Sequence, residues 1–266
     1  MQPRAIGSAH LSVKRGKGGR STLAELRHAG SAKLVFPVSP RPEVDTILVN
    51  TAGGLTGGDH FNFSFVVEEH AALTLTTQAA ERAYRAQQGE IAQVDTKITV
   101  RAGGIMHWLP QELILFDKCA LRRQLRVSMA EGARFLMVEP VIFGRSAMNE
   151  ILQNVHFRDR IAVTRNDAPL YVDGMDLNDD AAALLSRPAI ANGAGAMASV
   201  VFVAPEAEAM LARIRELLPE TAGASLLAPD LLVMRLLAPD AFELRRSLVP
   251  VIEHLSQSHI PTSWRL

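Results

Sequence analysis

Cys119 is the only cysteine in 266 residues, so no disulfide can form within the chain and a reducing compartment suits it. An excess of either charge is also missing, with Lys plus Arg at 28 and Asp plus Glu at 28. That balance leaves no electrostatic footprint for nucleic acid or an anionic membrane as a partner. Aromatic residues make up 5% of the chain, too few for a base-stacking surface. No stretch approaches the ~20 apolar residues of a membrane helix. The opening MQPRAIGSAHLSVKRGKGG has basic residues but no apolar core of signal-peptide length. The expectation is a soluble cytoplasmic protein with no nucleic-acid or membrane partner.

Reaction signatures are scarce as well. The stretch VNTAGGLTGGDHF, Val49 to Phe61, has the glycines of a phosphate cradle but neither the P-loop nor the dinucleotide spacing. No lysine follows the glycines, and FNFSFVV after them reads as a strand, so the helix N-terminus that usually binds an anion is absent. A glycine-rich bend is expected instead, with Asp59 satisfying turn amides. The eight histidines, at 10, 28, 60, 70, 107, 156, 254 and 259, contain no H-x-H or H-E-x-x-H and none lies at metal-finger spacing from Cys119. His60, His70 and His107 could meet in space, although scattered histidines are more often structural. No G-x-S-x-G elbow occurs, and Ser146 in FGRSAMNE has no identifiable base. Glu112, Asp117 and Glu139 could supply a glycosidase-like carboxylate pair, whose separation the sequence leaves open.

What the chain does have is a large apolar fraction, 48%, and clear periodicity. FNFSFVV (Phe61–Val67), AALTLTT (Ala71–Thr77), VDTKITV (Val94–Val100), LRRQLRV, ARFLMVEPVIF, ILQNVHF and IAVTRN read as strands. Helical spacing comes late, in Pro205–Glu220 and in Pro239–Gln257, where Pro250 should kink or interrupt the helix. LLVMRLLA between them reads as a strand, and Leu177–Gly195 as a short helix with a mobile loop. Three segments share a pattern of strand, small-residue turn and strand. Their turns, at His70–Ala71, Gly103–Gly104 and Gly132–Ala133, lie 33 and 29 residues apart. That spacing suits stacked architectures, in which each unit needs neighbours to cover its faces; ordinary β-hairpins could give the same pattern. The expected fold is mainly β: stacked β-helix-like layers of strands with two C-terminal α-helices packed on them. One domain over residues 1–266 is expected, with a β assembly over 8–203 and a strand–helix appendix over 204–266.

Four blocks, in order, carry a resemblance: ILVNTAGGLTGGD, LTTQAAERAYR, WLPQELILFD and ARFLMVEPVIFGRSAMNE. Together they resemble the urease accessory protein UreD family, called UreH in some organisms. The similarity begins near Ser21–Pro37 and resumes at the terminal PTSWRL. Arg82 stands where a lysine is common, and GRSAMNE departs from a form nearer GRRAMGE, which weakens any role for Ser146. The resemblance implies a non-enzymatic maturation factor with a β-rich, helix-like stack of strands. Such a protein binds apo-urease and UreF and, through UreF, the nickel-carrying GTPase UreG. It helps nickel reach a buried site of two nickel ions bridged by a carbamylated lysine, through an internal water-filled passage. No tightly bound cofactor is implied, only transient Ni2+.

A conduit must release its cargo, so oxygen groups suit it better than imidazole or thiolate, which hold nickel more strongly. The resembling blocks offer Thr56, Asp59, Thr77, Gln78, Glu81, Glu112, Asp117 and Glu139 as candidates for transient nickel passage. For each one singly, a structural hydrogen bond is the plainer role. Two other functions stay open: a β-helical carbohydrate-active hydrolase using paired carboxylates, and a holding chaperone with no metal role.

Overall fold

The computed structural model describes residues 3–258 and 260–264; His259, and Arg265 and Leu266 of PTSWRL, lie outside the described residues. The strands run β1 (Ile6–Arg15), β2 (Ser21–Gly30), β3 (Ala32–Val35), β4 (Val44–Asn50), β5 (His60–Val67), β6 (Ala72–Thr77), β7 (Glu81–Ala83), β8 (Ala92–Val100) and β9 (Ile105–Leu109). They continue as β10 (Leu113–Leu115), β11 (Ala120–Met129), β12 (Arg134–Phe143), β13 (Val155–Arg165) and β14 (Ala168–Asp179). Helix α1 (Ala181–Leu185), β15 (Ala196–Val203), α2 (Ala207–Leu217), β16 (Ala222–Ala228), β17 (Leu231–Ala238) and α3 (Ala241–Leu255) complete the order.

Among the described residues the strands form two facing sheets. The seven-stranded sheet has the order β14-β13-β11-β8-β5-β1-β2. Its five central strands are parallel, with β2 and β14 folding back antiparallel at the edges. The ten-stranded sheet has the order β16-β17-β15-β12-β9-β6-β4-β3, with β10 beside β12 and β7 beside β10. Its strands β4, β6, β9 and β12 are parallel. The chain therefore winds from one sheet to the other, β5 to β6, β8 to β9 and β11 to β12, in a solenoid-like stack.

The three crossings are the turns whose spacing suggested a repeat. Each needs one residue with positive φ: His70 at 55°, Gly103 at 65° and Gly132 at 71°. Successive turns bond to one another, with His70 N donating to Ala102 O at 3.1 Å and Ala130 N to Val100 O at 2.8 Å. Glycine is required at 103 on a second count, since a Cβ there would stand 2.3 Å from Nδ1 of His70.

Period-two burial explains the strands. In β13, Val155, Phe157, Ile161 and Val163 point inward while the residues between them are less buried, apart from the inward Asp159. Between the sheets, Leu11, Phe65 and Ile98 pack on Leu73, Leu75, Met106 and Phe135. Strands β12 and β15 are buried on both faces, because a helical layer covers the ten-stranded sheet. Leu244, Leu248, Val251, Ile252 and Leu255 of α3 pack there on Leu136, Val138, Phe202 and Leu236. Asp240 starts α3 by accepting from Glu243 N at 2.9 Å, satisfying one of the free amides of the first turn.

Within residues 204–266, β17 pairs with β15 and extends the ten-stranded sheet. Two details differ from the sequence reading. A second strand, β16, pairs with β17 between the helices; its small residues AGASLLA carry little strand signal of their own. Helix α3 also runs through Pro250 uninterrupted. Pro250 lies on the exposed face, as does Arg246 one turn earlier, so the carbonyl freed by the missing N–H meets water. After α1, residues 186–194 form hydrogen-bonded turns, with Gly193 N donating to Leu185 O at 3.0 Å.

Candidate functional site

The glycine-rich bend brings two segments close together. Leu55 N donates to Arg82 O and Tyr84 N to Leu55 O, both at 2.7 Å. A Cβ on Gly54 would stand 2.2 Å from the Tyr84 ring. Asp59 fixes the bend, accepting from Ala5 N and Thr56 N at 2.8 Å each.

Next to this bend the two sheets enclose a cavity of about 280 Å³. Its apolar walls include Leu55, Phe61, Phe63, Trp108 and Leu125, and Gln78 and Arg82 stand exposed at its edge. Thr77, Glu81, Thr96, Gln111, Arg123 and Glu139 supply polar groups. Thr77 closes β6, donating to Ala79 O at 3.2 Å and accepting from Gln111 N at 2.9 Å. Glu81 accepts from Asn50 Nδ2 and from Arg82 N, both at 3.1 Å. Burial raises the Glu81 carboxyl above its ordinary 4.5, against the lowering effect of the Asn50 bond.

At the far wall a buried ionic cluster bridges the sheets. Arg123 of β11 grips its register partner Asp159 of β13 through Nε at 3.1 Å and a terminal nitrogen at 2.6 Å. Its other terminal nitrogen lies 2.5 Å from Oε2 of Glu139 on the opposite sheet. The second Glu139 oxygen accepts from Trp108 Nε1 at 2.6 Å. Burial raises the Glu139 carboxyl, the Arg123 charge opposes that rise, and Asp159 adds to it. Burial alone would lower the Arg123 pKa, but Asp159 and Glu139 outweigh it and raise it.

Of the eight sequence candidates, Thr77, Gln78, Glu81 and Glu139 border this cavity. The other four are held elsewhere. Thr56 donates to Arg85 O at 2.9 Å, and Asp59 is committed to the bend. Glu112 pairs with Arg245 of α3 at 2.7 Å. Asp117 accepts from Gln153 N and Asn154 N, both at 2.9 Å. Glu112, Asp117 and Glu139 thus end on three different sets of partners. Arg123 and Asp159 escape the sequence reading. The available signal was a charge at an inward position, since Leu121 and Leu125 flank Arg123 and Phe157 and Ile161 flank Asp159, all buried.

The histidines do not converge. His60 and His70 lie beyond opposite ends of β5's apolar run, and His107 is buried against Thr74, with 3.3 Å between Nδ1 and the hydroxyl. Ser146 is exposed in a short 3-10 turn. Among the described residues no group of three or more His, Cys, Asp or Glu is placed to hold a metal ion. None of the described helices is long and apolar enough to cross a membrane.

Fold and cavity together define a class: a solenoid-like two-sheet β protein with a helical cover and an interior bearing carboxylates. The family model for the UreD urease accessory protein matches residues 5–265. The urease accessory protein UreD of Roseobacter denitrificans is 51% identical over 265 residues, covering 100% of this chain and 96% of that one. That of Ruegeria pomeroyi is 50% identical over 246 residues, covering 92% and 96%. That of Rhizobium etli is 40% identical over 264 residues, covering 99% and 96%. The chain belongs to the UreD urease accessory protein family.

Proposed function

We propose that this protein is a cytoplasmic urease maturation factor without catalytic activity of its own. It is a scaffold that binds apo-urease and UreF, and through UreF the GTPase UreG, and it assists nickel on its way into the urease active site. Family membership supports the role in maturation. The observation that carries the finer reading is the cavity between the sheets, where Thr77, Gln78, Glu81 and Glu139 meet. Hydroxyl, amide and carboxylate oxygens in apolar walls hold a nickel ion loosely, whereas imidazole or thiolate would retain it. Thr56, Asp59, Glu112 and Asp117 serve this reading indirectly. They fix the bend, the loop before β13 and the seat of α3 around that interior.

Co-purification and nickel loading test the proposal together. The protein isolated from cells retains urease subunits and UreF. In a reconstituted mixture with UreF, UreG, nickel and apo-urease, Glu81→Ala slows nickel loading while the complex still assembles. Loading at the full rate by Glu81→Ala and Gln78→Ala alike would leave a holding factor. Failure to retain urease would sink the scaffold itself.

A further inference from the structure

Glu139 borders two spaces. One is the large cavity; the other, of about 10 Å³, lies further along the sandwich beside Asp159, Asp173, Ser199 and Arg235. A space that size suits a single water molecule. The two spaces share Glu139, and Arg123 lines the first while its partner Asp159 lines the second.

The composition of the cluster needs a reason. Well-packed apolar side chains would stabilise such a position as well or better, because a buried ion pair costs about as much desolvation as its attraction returns. Two buried carboxylates facing one another are also a ready chelate for a doubly charged ion, since charge is poorly screened there. Arg123 occupies that chelate. Its guanidinium stays protonated at any physiological pH, and its planar fork spans both carboxylates at once. All three of its nitrogens are engaged, on Asp159 and Glu139.

We propose that Arg123 is the resident counter-cation of this interior. It fills the space between Glu139 and Asp159 and leaves them unavailable for chelation, so that a divalent cation crosses without being retained. The inference rests on the passage reading above and names what keeps that passage weak.

The test uses the full chain and Ni2+ alone. By equilibrium dialysis, Arg123→Met gains one Ni2+ site at least about tenfold tighter than anything in the parent protein, equal to ~1.4 kcal/mol. Arg123→Lys, which keeps a cation there, stays close to the parent. The triple variant Arg123→Met, Glu139→Gln, Asp159→Asn loses the new site. If Arg123→Met does not fold unaided, Ni2+ should restore it and raise its melting temperature with concentration, while the neutral triple variant folds without metal. Arg123→Met that neither binds Ni2+ more tightly nor gains stability from it overturns the proposal.

Urease loading then separates the two readings. Tight Ni2+ retention by Arg123→Met with loading at the full rate upholds the counter-cation role and sinks the passage. Slowed loading with unchanged affinity does the reverse.

Discussion

Glu112→Ala separates structural roles from conduit roles most sharply, because sequence alone places Glu112 among the nickel candidates. In the structure its carboxylate meets Arg245 at 2.7 Å, and the two side chains are only 10% and 12% exposed. Arg245 also donates to Gln111 at 2.9 Å and to Ser263 O at 2.7 Å, and lies 4.8 Å over the Trp264 ring. Breaking a buried pair by removing one partner costs about 3–5 kcal/mol. Arg245 keeps its other two acceptors, so about 2–4 kcal/mol is the better figure for this site. In a chain of this size that lowers the melting temperature by roughly 4–7 °C. Urea denaturation with fluorescence detection reads the free energy, and Glu112→Gln should recover part of it. Hydrogen exchange should quicken at Trp264, which Arg245 and the Trp264–Leu109 bond (2.9 Å) tie to the sheet. Nickel loading per folded molecule should not change. A variant as stable as the parent but unable to pass nickel would refute the reasoning and return Glu112 to the passage.

Two further outcomes follow from burial. The raised Glu81 carboxyl favours folding while protonated, and this contribution fades as pH rises through the raised pKa. Glu81→Gln should therefore gain stability relative to the parent as pH rises above the ordinary carboxylate value of 4.5; a gap independent of pH in paired denaturation curves would contradict this. Cys119 is 1% exposed, and burial, helped by Asp117, pushes its thiol up to about 12. A thiol reagent should label it at neutral pH only on unfolding, and rapid labelling of the native protein would refute its burial.

The stack was legible because its rules are local. Period-two alternation marked the strands, and His70, Gly103 and Gly132 marked the crossings, since each crossing needs a positive φ. Strand β16 was not, because small residues become a strand there only through pairing with β17. Half of the candidate site was legible in the same way: Thr77 ends β6, Gln78 and Glu81 come just after it, and Glu139 lies within a recognisable strand. Glu112 and Arg245 are 133 residues apart, and no local pattern shows that they meet. Arg123 and Asp159 stand at inward positions that the alternation marks, but no local pattern shows that they meet each other and Glu139. Polar residues announce themselves in sequence; the partners they meet are decided by strands far along the chain.

The central claim, that nickel moves through the space between the sheets, is met most directly by filling that space. Thr96 lies on the inward face of β8, is 4% exposed and lines the cavity. Thr96→Phe puts a ring into it at a stability cost of about 1–3 kcal/mol. The measurement is the rate of nickel incorporation into apo-urease by the reconstituted mixture, with assembly of the variant with UreF and urease checked in parallel. The account predicts an intact complex and a rate lower by about tenfold or more, a barrier higher by ~1.4 kcal/mol. An intact complex that loads nickel at the parent rate would contradict it.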